Sequence, residues 1–471
     1  MASFEVDINK IEIVDKLLNC ENNEVYNLVE NINKNIDVIN NITNKEEIKL
    51  INIFEKIFFV FGEKDKRKYE SVYELEKTII KKVNKWMCYD IVEILKNKIT
   101  KDPLKGTKEY SYKLLNVLIK RCNEQISVSM TELIPIITRD TCSTIKEVKD
   151  SSFKCLKSLL NCSGNVDLDP FIPVVLDALV NPKNIPESVE KLASCIFVQN
   201  VEAPALAITT PILIKGLNER KTETKRKCCV IIDNMCKLVE HPKEIVSFSV
   251  DLQKLLLNCT ETISDPEARN VAEKALNTLN SACGEVNEFK LKSKEDIVNL
   301  LNEMLEFKSK ITDDYNMDEL NMISSLTANL CNKQNFDDSL WKEIYYSYLP
   351  NYFDDIKDIV RESMFNSLKS SFEIKEDIFE DTEEGQDLYK GSFSLAYGAL
   401  TLLNSCHLHL KRNRFYGLLG PNNCGKTTLM RAISNEQVEG FPKRDELKTV
   451  FVEHEIQERE VGEDEKGFPI L

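Results

Sequence analysis

A chain of 471 residues is too long for one hydrophobic core, so two to four structural units are expected. Apolar residues make up 42% and charged residues 30%, and only 14 glycines and 14 prolines are present, which argues against a β-rich chain with many turns. The net charge of −15 excludes a protein that coats nucleic acid over its whole surface, although a local basic patch remains compatible with it.

Leu, Ile, Lys, Glu and Asn dominate, so the first expectation is mostly helix. Asn is dense in the first hundred residues, as from Asn31 to Asn44, a bias that carries little functional weight. The N-terminus Met1-Ala2-Ser3-Phe4-Glu5 lacks the basic and apolar regions of a signal peptide. No apolar run approaches the roughly 18 residues that span a bilayer. Fifteen cysteines are scattered without a Cys-x-x-Cys pair, and four histidines are too few to favour a zinc site. Reduced thiols without signal or anchor predict a cytoplasmic protein.

The first 130 residues read as helical without a fixed repeat. Then Leu133-Ile134-Pro135-Ile136-Ile137 recurs as Phe171-Ile172-Pro173-Val174-Val175 and as Thr209-Thr210-Pro211-Ile212-Leu213, with the prolines 38 residues apart each time. One further step lands on Ser249, where Val250, Leu252 and Leu255 match Ile212, Ile214 and Leu217 in phase. A period near 40 built from two helices is the mark of HEAT-type repeats. Proline fits the first turn of a helix, where its missing N–H has no intrahelical partner. The second helix of each pair is predicted over Glu147 to Leu160, Glu187 to Val198, Lys225 to Val239 and Asp265 to Leu279, the last opened by an Asp265-Pro266 cap. One hairpin cannot bury its apolar face alone, so the pairs must stack into a solenoid, residues 1–284.

From Gly284 this phase is lost. Helical stretches near Ser293–Lys308, Met317–Asn332, Asp337–Leu349 and Tyr352–Phe372, joined by short connections, predict a four-helix bundle over 285–372. Trp341, Ile344, Tyr345 and Tyr348 form its apolar stripe. Residues 373–389 are an acidic linker: Glu373 to Asp387 carries eight carboxylates against one lysine. Beyond it the period changes to two, with Phe393, Leu395 and Tyr397 alternating, then Cys406, Leu408 and Leu410, and a short apolar run from Phe415 to Leu419. These read as strands, and the chain turns from all-helical to α/β.

The chemistry sits in Gly420-Pro421-Asn422-Asn423-Cys424-Gly425-Lys426-Thr427, which fits the phosphate-binding string G-x-x-x-x-G-K-[ST] and is followed by Thr428. A strand into the loop and a helix out of it, Thr427 to Ser434, is the order this chemistry needs, because backbone N–H groups at a helix N-terminus cradle the phosphates of ATP. Lys426 is assigned to the β- and γ-phosphates and the Thr427 hydroxyl to Mg2+. Tyr397, at the end of a predicted strand, is the aromatic assigned to stack on adenine. Lys215, Arg220, Lys221, Lys225, Arg226 and Lys227 form a basic cluster, read either as a solvated helix face or as a phosphate-contacting surface.

Phe393-Ser394-Leu395-Ala396-Tyr397-Gly398-Ala399, the loop, Leu429-Met430-Arg431-Ala432-Ile433, Gly440-Phe441-Pro442 and Val450-Phe451-Val452-Glu453-His454 resemble the first ATP-binding cassette of the translation elongation factor three family. Gly216-Leu217-Asn218-Glu219-Arg220, Lys225-Arg226-Lys227 and Val230 to Val239 are similar to that family's repeat region. Residues 390–471 are then the N-terminal part of a cassette. The resemblance implies a cytosolic ATPase that binds the ribosome through rRNA and ribosomal proteins, clears tRNA from the exit site and supports the factor that delivers aminoacyl-tRNA. It also implies rRNA contact by the basic cluster, and it places His454 where other cassettes carry the glutamine that watches metal and water. Asn423 departs from the family's glycine, a substitution that left-handed geometry tolerates.

Neither a Leu-Ser-Gly-Gly signature nor an Asp-Glu-ended strand follows the loop, so the chain is expected to be a truncated ATPase without appreciable hydrolysis of its own. Val174-Val175-Leu176-Asp177 and Val230-Ile231-Ile232-Asp233 mimic such a strand, but their place in the repeats marks them as helical core. The competing readings are a HEAT-repeat adaptor with a decayed cassette and a transporter subunit, which the absent membrane segment disfavours.

Overall fold

The computed structural model describes residues 13–21, 24–57, 66–102, 104–198, 200–284, 293–306, 317–350, 353, 356–371, 386–397, 400–421, 425–438, 441–443 and 445–452. The described chain is mostly helical. Helix pairs begin at once: Glu47–Ile57 and Lys66–Lys82, Cys88–Lys101 and Lys105–Arg121, Met130–Thr141 and Lys146–Leu160, Ile172–Val180 and Ile185–Leu192. Ala203–Leu217 and Thr222–Lys237, then Pro242–Thr262 and Pro266–Cys283, complete the series. Within a pair the helices pack on each other, and each also packs on its counterpart one repeat away, as Ala203–Leu217 does on Pro242–Thr262 and Thr222–Lys237 on Pro266–Cys283. This two-way packing buries faces that a lone hairpin would expose. Polar links also cross between helices of successive pairs, among them Arg226 to Glu267 at 2.8 Å, Thr278 Oγ1 to Asp233 at 2.6 Å and Tyr112 Oη to Asp140 at 2.9 Å.

Three helix expectations shift. Pro173 lies in the first turn of its helix, but Pro135 and Pro211 sit inside theirs. The reason is burial: Ala205, Leu206, Ala207 and Ile208, ahead of Pro211, are all core residues, and their packing extends the helix backwards despite the lost hydrogen bond. Val250 is in phase with the buried Ile212 yet is 73% exposed, because the inward face here runs through Ile245, Phe248, Leu252, Leu256 and Cys259. The helix expected from Glu187 to Val198 ends at Leu192, and Ile196–Phe197 becomes a strand. The cap at Asp265 holds, its carboxylate accepting from the Glu267 N–H at 3.3 Å. Asp177 and Asp233 both lie in helices, as their place in the repeats predicted, although only Asp233 is buried.

The four later helices are Lys294–Glu306, Met317–Asn332, Asp338–Tyr348 and Lys357–Ser371. Neighbours in sequence pack together, and the first also meets the last. They do not stand apart from the repeats. One continuous apolar core runs from Val14 to Leu368. A polar seam closes the contact with the N-terminal repeats. There Asn84 N–H donates to Glu47 Oε2 at 2.8 Å, and Tyr348 Oη to the same oxygen at 3.3 Å. Asn329 Nδ2 donates to the Trp86 carbonyl at 2.7 Å and to Asp90 at 3.2 Å. Burial raises the carboxyl pKa of Glu47 and of Asp90, and the Asn84 and Asn329 bonds respectively oppose it.

Three strands form one antiparallel sheet in the order β1–β2–β3: β1 (Ile196–Phe197), β2 (Asp387–Tyr397) and β3 (Leu400–Lys411). Tyr389, Phe393 and Leu395 of β2 point into a small second core with Leu429, Ala432, Val438 and Val198. No described helix is long and apolar enough to cross a membrane.

Candidate nucleotide-binding loop and basic surface

The helix after the loop is Lys426–Ser434, and Gly425 precedes it at φ 93°, ψ 8°, a left-handed conformation that glycine adopts without strain. Leu429 and Ala432, on the inner face of this helix, anchor it to β2. The first N–H groups of this helix, beside Gly425, have no acceptor inside the helix. Lys426 folds back so that Nζ donates to the carbonyls of Gly420 at 2.7 Å and Pro421 at 2.6 Å. Thr427 is exposed and Thr428 half-buried. An ammonium and a helix N-terminus face the same loop, an arrangement that suits a polyphosphate.

Asn422, Asn423, Cys424 and His454 lie outside the described residues, as do 373–385 of the acidic linker. Tyr397 ends β2, its backbone in register with Leu400 of β3 and Ile196 of β1. The expected strand from Phe415 to Leu419 is not formed. Residues 414–421 carry no regular structure, and Phe415 and Leu419 are 104% and 94% exposed. A strand at the centre of an α/β sheet is held by partners on both sides, and among the described residues none pairs with this run.

The six basic residues gather around the turn between Ala203–Leu217 and Thr222–Lys237, but they are not equivalent. Arg226 pairs with Glu267, and Lys227 pairs with Glu190 at 2.9 Å and Glu223 at 3.0 Å. No ion pair among the described residues engages Lys215, Arg220, Lys221 or Lys225, of which Arg220 and Lys221 are exposed and the other two half-buried. The available positive surface is thus four side chains rather than six. Sequence spacing could not separate the two groups, because the pairing acids lie in other helices or one turn away.

A junction that spacing did not reveal joins loop and repeats. Asp167 is 2% exposed; its Oδ2 accepts from the Val198 N–H at 2.7 Å and its Oδ1 from Gln437 Nε2 at 3.2 Å. Nothing in the local sequence marks it, because Asp167 and Gln437 are 270 residues apart.

Known proteins match the chain over most of its length. The family model described as the EF3 N-terminal HEAT repeat matches residues 7–156, and the Elongation factor 3/GNC1 HEAT repeat model matches residues 184–290. Elongation factor 3 of Phytophthora infestans is 37% identical over 434 residues, 90% of this chain and 41% of that protein. Elongation factor 3 of Candida albicans is 38% identical over 75% of this chain and 35% of its own length. Elongation factor 3A of Saccharomyces cerevisiae is 34% identical over 88% of this chain and 40% of its own. The chain spans about two fifths of the length of the relatives from Phytophthora and Saccharomyces. The chain thus carries two repeat models of one family on its stacked helix pairs and is similar, over most of its length, to proteins named elongation factor 3.

Proposed function

We propose that this chain serves translation elongation at the ribosome in the cytoplasm, and that its loop binds ATP with Mg2+. The observation that carries this reading is the likeness to proteins named elongation factor 3 over 90% of the chain, together with a phosphate-binding string set at a helix N-terminus. On this reading residues 1–284 are a HEAT solenoid, 285–372 a four-helix bundle, 373–389 a linker and 390–471 the start of a cassette. Lys426 leaves the Gly420 and Pro421 carbonyls to neutralise phosphate charge, and the N–H groups from Gly425 onward hold the same oxygens. Thr427 supplies a hydroxyl to the metal, and Tyr397 stacks on the base. ATP supplies the binding and hydrolysis energy that the family couples to exit-site tRNA release and aminoacyl-tRNA delivery.

Lys426→Ala should weaken ATP binding to the purified chain by about 10- to 100-fold, the value of a charged hydrogen-bond donor, as read by titration calorimetry. Equal affinity of the two proteins would remove the loop from nucleotide binding. One feature favours the alternative of an ATP-independent repeat adaptor: the exposed, unpaired run from Phe415 to Leu419. The same titration separates the two, since the adaptor shows no Lys426-dependent binding.

Ribosome association is assigned to Lys215, Arg220, Lys221 and Lys225. Lys221→Glu combined with Lys225→Glu should reduce co-sedimentation with ribosomes and make the dependence on salt shallower, because fewer counterions are released from rRNA phosphates. An unchanged salt slope would move the contact elsewhere.

A further inference from the structure

We propose that the Asp167 junction is a coupling device that links occupancy of the Lys426 loop to the conformation of the HEAT-repeat connector around residues 163–168 and 195–198. The inference rests on the nucleotide reading above and adds to it a route by which the repeats respond.

The connector touches the two elements assigned to the nucleotide. Through β1 it pairs with the end of β2, Ile196 opposite Tyr397 and Phe197 opposite Ala396. Through Val198 it enters the small core that also holds Leu429 and Ala432 of the helix after the loop. Asp167 then ties the parts together. One carboxylate oxygen holds the Val198 amide of the connector, and the other holds the Gln437 side chain, three residues past Ser434 at the C-terminus of that helix. Cys195 Sγ also donates to the Asp167 carbonyl at 3.4 Å. The far side of the connector is fixed to the next repeat, where the Val201 N–H donates to the Leu238 carbonyl at 2.9 Å and the Ala203 N–H to Glu244 at 2.7 Å.

Lys426 and Gln437 therefore stand at opposite ends of one short, rigid helix. At its N-terminus the Lys426 ammonium is held by the Gly420 and Pro421 carbonyls, contacts that a phosphate competes for. At its C-terminus the polypeptide turns sharply through Glu436, whose φ is 60°, and the Gln437 N–H bonds back to the Ala432 carbonyl at 3.0 Å. A shift or stiffening of the helix on phosphate binding is thus delivered to Gln437 and Val438 rather than lost in a loose loop. A buried carboxylate amplifies it, since removing one hydrogen bond from a desolvated charge is costlier than from an exposed one. The coupling is reciprocal: whatever displaces the connector changes the affinity of the loop.

The test is hydrogen exchange by mass spectrometry on the full chain, with and without ATP and Mg2+, for wild type, Gln437→Ala and Lys426→Ala. ATP should slow exchange at 195–198 in the wild type by about fivefold or more, with little change in Gln437→Ala. Without nucleotide, Gln437→Ala should speed exchange of the Val198 amide by about fivefold, because its acceptor is loosened while the repeats stay folded by circular dichroism. Lys426→Ala should show no ATP effect anywhere. If ATP binds the wild type through Lys426 and leaves 195–198 unaltered, or alters it equally in Gln437→Ala, the coupling is wrong while the nucleotide reading stands. If ATP does not bind, or binds equally to Lys426→Ala, the nucleotide reading fails and the coupling falls with it.

Discussion

Trp341→Ala is expected to destabilise the protein by about 3–5 kcal/mol, enough to abolish the native state of a marginal fold. Trp341 is fully buried and stacks with Phe336 and with Tyr345 at centroid distances of 5.6 and 5.7 Å, while the Phe365 ring stands at a right angle to it at 5.3 Å. Its indole N–H donates to the Asn335 carbonyl at 2.8 Å. Alanine removes the transfer energy, leaves a cavity between three helices and orphans that carbonyl. Because these helices share their core with the repeats from Val14 onward, the loss should propagate to the contact with Glu47 and Asn84. The measurement is the urea midpoint by far-UV circular dichroism. The chain has two tryptophans, so the variant leaves Trp86, at the seam itself, as the fluorescent reporter of docking. Glu343→Gln, at an exposed position on the same helix, should stay within about 0.5 kcal/mol of wild type. A drop below about 1 kcal/mol for Trp341→Ala would mean that the aromatic cluster repacks without cost.

Glu76→Gln is expected to stabilise the protein at pH 8 and to flatten its stability profile. Glu76 is completely buried in Lys66–Lys82, and among the described residues neither carboxylate oxygen has a hydrogen-bond partner. Burial pushes its pKa well above the usual carboxylate range, with Lys98 the opposing influence. A group whose folded pKa lies above its unfolded value binds more protons when folded. Its contribution is fully present below the unfolded value of 4.5 and is lost as pH rises towards the folded pKa. The slope in that window is about 1.4 kcal/mol per pH unit. Wild type should therefore lose stability from pH 5 to pH 8 faster than Glu76→Gln, which mimics the protonated acid and does not titrate. Comparing the two proteins by urea denaturation at each pH removes the other titrating groups, including Glu47 and Asp90, from the difference. Parallel profiles would show that the Glu76 carboxylate finds water or a cation in solution.

Local patterns carried much of the architecture. The 38-residue step, the Asp265-Pro266 start and the stripe through Trp341, Ile344, Tyr345 and Tyr348 specify helices and their buried faces because each is a local arrangement of backbone preference and periodic apolar side chains. The change from helix to strand beyond the acidic stretch was legible for the same reason, although β2 begins at Asp387, inside the stretch read as linker to residue 389, because Asp387 and Tyr389 pair with Lys411 and Leu410. In the loop region, the structure places Gly425 in the left-handed conformation and Lys426 at the helix start. The strand expected from Phe415 to Leu419 failed because an apolar run becomes a strand only when neighbours pair with it.

What the amino-acid order determined by itself is therefore the repeat and most of the helices. Only the tertiary structure decided which distant parts meet. It sets the later helices back against Glu47, Asn84 and Asp90, spends Arg226 and Lys227 on Glu267, Glu190 and Glu223, and draws Ile196 and Phe197 into a sheet with β2. It also brings Asp167 and Gln437, 270 residues apart, to one hydrogen bond. Such contacts follow from the global packing of amphipathic faces and from where buried polar groups find partners, and no local window of sequence contains either quantity.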